Sequence, residues 1–315
     1  MALAALQVRR AAATLAVDVV HANSVRAGIV CGLARPAVPV VVHVRDCLPA
    51  GAATRTTMRL IRSTATVIVA NSEYTASWVR AVAPGARVEA IHNGVDLARF
   101  DPARIDRAAV RARLGVAEST VLLGVVAQLS PWKGQDTAIE ALAMLREQGT
   151  DARLALVGTA RFVASATRFD NEAYVRDLRS LAIRIGVSDS VMWLGECEDV
   201  PELIRAFDLL LVPSWEEPFG RTVIEAMALE VPALATSAGG PAEILAGGRG
   251  GVLLPPREPA AWARAAAALA ADPVRRAALG RQGRERVEAE FALPAQTGAM
   301  VELYGRVSGG DEKIR

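Results

Sequence analysis

The chain has 315 residues, of which 52% are hydrophobic, 22% charged and 4% aromatic, and its formal net charge is +2. A globular protein of this length and apolar content can form two domains with separate cores. No run of about 18 apolar residues is uninterrupted, since Arg264 breaks the alanine-rich stretch at 260–271, so no transmembrane helix is predicted.

The amino-terminal residues and the cysteines indicate the compartment. The first ten residues, M-A-L-A-A-L-Q-V-R-R, place their charges after the apolar residues, which is the reverse of a secretory signal peptide. Cys31, Cys47 and Cys197 are odd in number and scattered, which argues against a disulfide framework and against a zinc site. We therefore expect a cytoplasmic protein.

Basic residues concentrate in the first third of the chain. Residues 1–100 hold 11 arginines and 5 acidic residues, a balance of +6, and the remaining 25 basic and 29 acidic residues give −4. This asymmetry is modest, and no nucleic-acid partner is expected. Only Lys133 and Lys313 among the 36 basic residues are lysines, so a lysine inside a motif is notable in this chain.

The first 92 residues alternate short apolar strands with helices, which predicts a parallel sheet with crossover helices. His21, His43 and His92 fall at the carboxyl ends of strands, the edge at which open parallel sheets bind ligands. A packed or capping histidine is the alternative interpretation at each of the three positions. The predicted strands are residues 17–21, 38–43, 67–70 and 88–92, and the predicted helices are residues 24–33, 55–63 and 72–82.

Residues 93–96, Asn-Gly-Val-Asp, admit two interpretations. An Asn-Gly pair is typical of a β-hairpin turn, but the following Leu-Ala-Arg-Phe-Asp-Pro does not alternate as a returning strand should, which favours a linker. Strands and helices alternate again beyond it, which predicts a doubly wound domain. Its predicted strands are residues 121–127, 153–157, 191–194, 208–212, 233–236 and 251–254, and helices are predicted at 135–147, 171–185, 201–207, 220–230, 241–246, 259–271, 275–291 and 296–307.

The stretch at 208–232 carries the strongest candidate site. An apolar strand ends at Val212, a loop with two carboxylates follows, and an amphipathic helix opens at Gly220. A ligand at this edge of the sheet would meet the unpaired N–H groups of the helix start, which suit a phosphate. Glu217 lies in the loop, and Glu225 lies in the second turn of the helix.

The residues at 213–227, P-S-W-E-E-P-F-G-R-T-V-I-E-A-M, resemble the signature of the retaining, nucleotide-sugar-dependent glycosyltransferases of family 4. The resemblance implies an α/β protein with two Rossmann-like doubly wound domains, the GT-B fold. It implies that Glu217 contacts sugar hydroxyls of the donor and that Glu225 accepts hydrogen bonds from the ribose hydroxyls. Backbone N–H groups of Phe219 and Gly220 would then meet the diphosphate.

Both carboxylates also have simpler interpretations. Glu217 could merely complement the positive end of the helix dipole. Arg221 and Glu225 could form an exposed pair at i and i+4, worth a few tenths of a kcal/mol.

The segment at 124–134, G-V-V-A-Q-L-S-P-W-K-G, resembles the family's G-R-L-x-x-x-K-G segment, whose Arg and Lys hold the donor diphosphate. A cation placed where negative charge develops on the leaving diphosphate lowers the barrier, and the resemblance gives that role to Lys133. Gln128 stands where an Arg is expected, so either Lys133 carries more of the work or Arg221 compensates. A solvated surface lysine is the alternative.

Three other segments resemble parts of the family pattern. Gly158 matches a turn beneath the nucleotide, and Glu196 ends a Leu-Gly-Glu segment that resembles the lining of the base pocket. Residues 239–243, G-G-P-A-E, resemble a G-G-x-x-E turn, but they also make a plain helix start and are interpreted as mainly structural. His43, in V-H-V-R-D, resembles the acceptor-side segment, and catalysis and packing are both open there.

Neither a metal nor a separate cofactor is expected. The sequence contains no Asp-x-Asp, and no G-x-G-x-x-G follows a predicted strand, which argues against a nicotinamide site. Lys133 and the helix start would supply the positive charge that a divalent ion supplies elsewhere. The expected partners are a nucleotide diphosphate sugar and an acceptor that the sequence does not identify.

The sequence predicts three parts: a partial first domain with its linker at 1–102, a nucleotide-sugar-binding domain at 103–292, and a helix at 293–315 that crosses back to the first domain and ends in a frayed polar tail. The leading hypothesis is a retaining, metal-independent glycosyltransferase. The alternative is a catalytically silent nucleotide-sugar-binding protein or subunit, because family members carry further strands before the first one predicted here.

Two further expectations concern the first domain. A sheet of only four strands should leave apolar edges at 17–20 or 38–42 without a neighbour, so the chain should self-associate or be poorly soluble. Arg55, Arg59 and Arg62 share one helix face, which is either simply solvated or meets an anionic surface such as an acidic membrane.

Overall fold

The computed structural model describes residues 1–160 and 169–309 of the chain. It divides the chain into two compact units, of which the first comprises Met1–Gly94 with the segment from Leu293 onward, and the second comprises Val95–Ala292. Each unit packs helices on one parallel sheet, so the predicted α/β class with two parallel sheets is confirmed, but the order of the described strands reverses, as a doubly wound sheet requires, in the second unit alone. Most of the polar tail, residues 310–315, lies outside the described residues.

The first unit contains a four-stranded parallel sheet with the order β1-β2-β3-β4. β2 lies between β1 and β3, so the expectation that residues 38–42 lack a neighbour is wrong, and β1 and β4 are the edge strands of the described sheet. The central strands are apolar without alternation because both faces of the sheet are covered. The strands are β1 (Val20–Ala22), β2 (Val40–Val44), β3 (Val67–Ala70) and β4 (Val88–Ala90).

Helices cover the two faces of this sheet unequally. Right-handed crossovers that all step in one direction place their helices on one face of the sheet. Side chains of α2, α3 and α4 form one apolar cluster with the strands, as this rule predicts. Gly28 of α2 is required there because a Cβ would lie 2.7 Å from Cγ1 of Val42. The helices of this unit are α1 (Ala2–Thr14), α2 (Val25–Ala34), α3 (Ala52–Arg62), α4 (Glu73–Val82) and α13 (Leu293–Ser308).

The opposite face is covered by α13, which comes from the end of the chain. Leu303 is fully buried there, and it packs against a row of apolar side chains that consists of Val41, Val67, Val69 and Ile91. α1 packs beside α2 through Ala5 and Ala12. The sequence did not predict α1, since alanines on its buried side give little contrast between an apolar and a polar face.

The arginine face of α3 is present as predicted from its spacing. Arg55, Arg59 and Arg62 are exposed, and in the described part of the chain none of them forms an ion pair. Arg62 donates a hydrogen bond to the backbone oxygen of Pro84, at 2.8 Å. Contact of this face with an anionic surface stays a prediction.

The second unit contains a six-stranded parallel sheet with the order β10-β9-β8-β5-β6-β7. The chain leaves β5 toward β6 and β7 and later returns to β8 on the other side, so the strand order reverses between β5 and β8. Ligands of doubly wound sheets bind at such a switch point. The strands are β5 (Val121–Val126), β6 (Ala152–Val157), β7 (Val191–Gly195), β8 (Leu209–Val212), β9 (Ala233–Thr236) and β10 (Gly251–Leu254).

Two layers of helices enclose this sheet. One apolar core includes α5, α8, α9 and α12, and the other includes α6, α7 and α11. The helices are α5 (Arg107–Arg113), α6 (Gln135–Glu147), α7 (Asn171–Arg184), α8 (Val200–Ala206), α9 (Arg221–Ala228), α10 (Pro241–Ile244), α11 (Pro259–Ala270) and α12 (Pro273–Glu290). The short α5 was not predicted.

The Asn93-Gly94 pair does not form a hairpin. β4 pairs with β3 in parallel, and the next strand, β5, belongs to the other sheet. Across residues 1–160 and 169–309, no helix combines the length and the apolar character that a bilayer crossing needs.

Candidate functional site

Two loops meet at the switch point of the second sheet. One follows β5 and the other follows β8, two strands that are neighbours in the sheet. The backbone N–H of Trp215 donates to the oxygen of Trp132 at 2.9 Å, which joins the loops directly. Gly134 has φ +69°, and a Cβ there would lie 2.0 Å from the oxygen of Pro213, so only glycine allows this close approach.

The joined loops bring Lys133 and Glu217 together. The Nζ atom of Lys133 lies 2.6 Å from Oε2 of Glu217, and the two side chains are only 17% and 12% exposed. Ser214 donates its hydroxyl to the same carboxylate oxygen at 2.9 Å. The Lys133 ammonium also lies 3.9 Å from the centroid of the Trp132 ring. The simpler interpretation of Lys133 as a solvated surface lysine is therefore wrong.

The backbone of Glu217 is fixed on both sides. Its N–H donates to the oxygen of Ala238 at 3.0 Å, and its oxygen accepts from the N–H of Gly240 at 2.8 Å. Gly239 has φ +118°, and a Cβ there would lie 2.1 Å from the Glu217 oxygen. The Gly239-Gly240 turn therefore holds the loop of Glu217 in place, a role that needs glycine at position 239.

Glu225 lies in the second turn of α9, the helix that follows the loop of Glu217. It is 8% exposed, and its Oε1 lies 3.2 Å from the guanidinium of Arg221, whose side chain is 71% exposed. The i,i+4 pair expected as one alternative does form, but its carboxylate end is buried. Gly220 precedes α9 with φ +100°, and Phe219 beside it is buried.

A cavity of about 290 Å³ adjoins the ends of β6 and β7. Gly158 and Gly195 line it, and the N–H of Gly158 donates to the Gly195 oxygen at 2.7 Å. Arg179 stacks over the ring of Trp193 at 4.4 Å on the cavity wall. Glu196 follows Gly195 directly, so two of the segments predicted to face the nucleotide lie at one edge of the sheet.

Gln128 lies in the loop after β5, close in the chain to Lys133. Its backbone oxygen accepts a hydrogen bond from Nε2 of Gln135, at 2.9 Å. Arg221 pairs with Glu225, and its compensation for an arginine at position 128 stays a prediction.

His43 belongs to the first unit, in β2. It is 3% exposed, and its ring centroid lies 5.7 Å from that of His21, whose Nδ1 lies 2.5 Å from the Tyr304 hydroxyl. Burial, with smaller effects from the charge of Arg45 and from His21, lowers the pKa of His43 to about 4. Burial, with a smaller effect from Arg45, also lowers the pKa of His21. Both imidazoles are therefore neutral near pH 7.

The sequence did not single out Trp132 and Ser214, although both contact the ion pair. Ser214 lies inside the Pro-Ser part of the motif, and Trp132 immediately precedes Lys133. Their position next to predicted site residues is the sequence signal that could have identified them. Among the described residues, no group of three or more His, Cys, Asp or Glu side chains is arranged to hold a metal ion.

Two family profiles match the chain. The profile of glycosyl transferases group 1 matches residues 106–286, and that of Glycosyltransferase Family 4 matches residues 1–99. The D-inositol 3-phosphate glycosyltransferase of Salinispora arenicola (strain CNS-205) is 36% identical over 225 residues, which cover 70% of this chain and 49% of the relative. A protein of the same name from Mycolicibacterium vanbaalenii is 31% identical over 310 residues, which cover 92% of this chain and 67% of the relative. The chain thus spans about half the length of the first relative and two thirds of the second.

Solved structures agree with these matches. The Anabaena protein Alr3699/HepE in complex with UDP-glucose has a TM-score of 0.85 and 28% identity, with 96% of this chain and 82% of that chain covered. Sucrose-phosphate synthase from Thermosynechococcus elongatus has a TM-score of 0.82 and 24% identity, with 98% and 78% covered, a likeness in fold alone.

Proposed function

The chain belongs to the group 1 glycosyltransferases of family 4, and from this premise we propose that it transfers a glycosyl group, with retention, from a nucleotide diphosphate sugar to an acceptor hydroxyl. In such a transfer the bond between the anomeric carbon and the diphosphate oxygen breaks, and a bond to the acceptor oxygen forms. The acceptor hydroxyl gives its proton to the departing diphosphate oxygen or to water, and negative charge develops on that oxygen as its bond to the anomeric carbon breaks. A catalyst must stabilise that charge where it develops.

The half-buried Lys133–Glu217 pair at the switch point is the observation that carries this proposal. Lys133 supplies a cation to the leaving diphosphate, and the start of α9 offers N–H groups at Phe219 and Gly220. Glu217 binds donor sugar hydroxyls. Charge stabilisation of this kind needs no divalent ion, so the proposed reaction is metal-independent.

The nucleotide lies, in our proposal, along the edge formed by α9 and the ends of β6 and β7. Glu225 accepts hydrogen bonds from the ribose hydroxyls, because it is a buried acceptor in the second turn of α9. Gly158 and Glu196 contribute to the part that receives the base, next to the cavity of about 290 Å³. Gln128 assists Lys133 as a neutral hydrogen-bond donor, and Arg221 assists it as a charged one. His43 acts from the first unit, as a neutral imidazole, on the acceptor side.

The relatives suggest which substrates to try first. The Anabaena structure contains UDP-glucose, so a uridine nucleotide is the first donor class to test. The two curated relatives are named for D-inositol 3-phosphate, so this phosphorylated polyol is the first acceptor to test. Both substrate assignments are proposals for this chain.

A panel assay distinguishes the enzyme from a silent nucleotide-sugar binder. Wild-type protein and Glu217→Gln are incubated with UDP, GDP and ADP sugars, with and without D-inositol 3-phosphate, and nucleoside diphosphate release and product mass are measured. We expect turnover with at least one donor and a loss of about 100-fold or more in Glu217→Gln. Binding of a donor without turnover across the whole panel would favour the silent binder.

A further inference from the structure

We propose that Trp132 is a positioning residue for Lys133. The indole face of Trp132 holds the Lys133 ammonium while that ammonium exchanges between Glu217 and the donor diphosphate. The proposal rests on the proposed function, since it names a donor diphosphate. It assigns a role to a side chain that contacts the ion pair and not the reacting atoms.

Two described partners flank the Lys133 ammonium. On one side Nζ lies 2.6 Å from Oε2 of Glu217, and on the other it lies 3.9 Å from the centroid of the Trp132 ring. A cation within about 6 Å of an indole face is attracted by the ring quadrupole, and the attraction grows as water is excluded. Since Lys133 is only 17% exposed, water competes weakly with this contact.

Several contacts hold Glu217 at its place in the loop. Backbone hydrogen bonds with Ala238 and Gly240 fix Glu217, and the Ser214 hydroxyl holds its Oε2. A bound diphosphate competes with this carboxylate for the same cation, and a carboxylate released from the cation can accept hydrogen bonds from sugar hydroxyls. The flexible lysine chain is therefore the part that moves.

The backbone that carries the Trp132 ring is fixed. The oxygen of Trp132 accepts the N–H of Trp215, and the turn at Pro131–Lys133 is closed by Gly134, whose close approach to Pro213 admits no side chain. Without the ring, the ammonium would gain water and rotamer freedom each time it leaves Glu217. The ring thus restricts the ammonium to the mouth of the site.

The two lysines of the chain make a direct test available. Reductive ¹³C-methylation keeps the lysine charge and labels Lys133 and Lys313 together with the amino terminus, and Lys313→Arg assigns the signals. We expect the Lys133 signal to be displaced upfield by the Trp132 ring current, to shift when UDP is added, and to lose its displacement in Trp132→Leu. A Lys133 signal that Trp132→Leu leaves unchanged would overturn the proposal.

Calorimetry of UDP binding measures the coupling. Trp132→Leu should weaken UDP binding about fivefold to tenfold, and Trp132→Phe, which keeps a ring, by about two- to threefold. In a Lys133→Ala background, Trp132→Leu should have no further effect, because the cation it holds is gone. An equal loss in both backgrounds would show that Trp132 only supports the loops, and the proposal would be wrong.

Failure of the proposed function gives a different pattern. A protein that binds UDP with this coupling, yet transfers no sugar, would contradict the transferase proposal and leave the role of Trp132 supported. A wild-type protein that binds none of UDP, GDP and ADP would overturn both.

Discussion

Glu225 is a buried carboxylate in the second turn of α9, and its proposed contact with ribose can be tested alone. Glu225→Ala should weaken binding of the free nucleoside diphosphate by about 1.5 to 3 kcal/mol, because a buried hydroxyl loses a charged partner. Isothermal calorimetry with UDP measures this loss. Glu217→Ala is the matched control and should bind UDP at least as well as wild type, since its proposed partner is the sugar and its removal frees Lys133 for the diphosphate. Equal affinities for Glu225→Ala and wild type would refute the ribose contact.

Lys133 is proposed to act on charge that develops during transfer. Lys133→Ala should therefore lower kcat by about 100-fold or more, with a smaller rise in KM for the donor of about tenfold, because Lys133 also contacts the bound diphosphate. Lys133→Arg should recover only part of kcat, because a planar guanidinium does not replace a compact ammonium in the tight loop beside Gly134. Steady-state kinetics with the active donor measures both variants. Full activity in Lys133→Arg would contradict this account.

His43 makes the stability of the first unit depend on pH. Its pKa is about 4 in the folded protein and 6.5 for a histidine exposed to water, as in the unfolded chain, so the unfolded chain binds the proton more tightly. The stabilisation is complete above pH 6.5 and is lost as the pH falls toward 4. Between pH 6.5 and 5 the loss should be about 2 kcal/mol.

Hydrogen exchange of the β2 peptide, corrected for the intrinsic rate at each pH, measures that loss. His43→Gln should flatten the dependence, because glutamine does not titrate. Arg45→Gln should flatten it in part, because Arg45 is the second cause of the lowered pKa. If the slope of stability against pH is unchanged in His43→Gln, other groups cause the pH dependence.

At the scale of elements, Asp208 joins α5, α12 and two strands of the second unit. Its carboxylate lies 2.9 Å from Arg107, 3.2 Å from Arg111 and 3.4 Å from Arg276, and it accepts the N–H of Leu122 at 2.8 Å. Arg111 is 1% exposed, so its charge depends on this partner. This residue opens the motif-bearing stretch, but its role is structural.

Asp208→Asn should destabilise the second unit by about 3 to 5 kcal/mol, because it keeps the shape and leaves the buried Arg111 guanidinium without its buried charge partner. Urea denaturation followed by circular dichroism measures the change. Glu118→Ala is the matched control, since Glu118 contacts Arg107 and Arg111 as well but is 64% exposed, and it should cost about 0 to 1 kcal/mol. Similar losses in the two variants would mean that the burial of the pair does not matter.

At the scale of the whole molecule, the first unit is assembled from both ends of the chain. A fragment of residues 1–94 lacks α13, which leaves one apolar face of its sheet bare, so this fragment should aggregate or remain unfolded. Residues 95–292 form a compact unit with two core layers and should fold alone and unfold cooperatively. Circular dichroism and thermal unfolding of the two fragments check this difference.

A full-length Leu303→Ala variant provides the companion measurement. Truncation of this fully buried side chain should destabilise the first unit by about 2 to 5 kcal/mol and leave the second unit unchanged. Hydrogen exchange of β3 reports on the first unit and that of β6 on the second. A cooperatively folded 1–94 fragment would show that α13 is dispensable.

Much of the fold was determined locally. β3, β9 and β10 have the limits that their apolar runs predicted, and α6 does as well, since hydrophobic period and turn residues act over a few neighbours. The Glu217 and Glu225 spacing was visible for the same reason, because both lie within one short stretch. α1 and α5 were missed because alanine and arginine dominate them, so their buried faces are not distinct in sequence.

Contacts between distant segments were decided by the tertiary structure. Lys133 and Glu217 are 84 residues apart, and only the placement of β5 beside β8 brings their loops together. The same holds for Leu303 on the first sheet and for Asp208 with its arginines. The sequence by itself determined most of the segments that form strands, helices and motif loops, because these depend on local periodicity and turn chemistry. The order of the strands determined which side chains meet, because packing of whole elements selects that order.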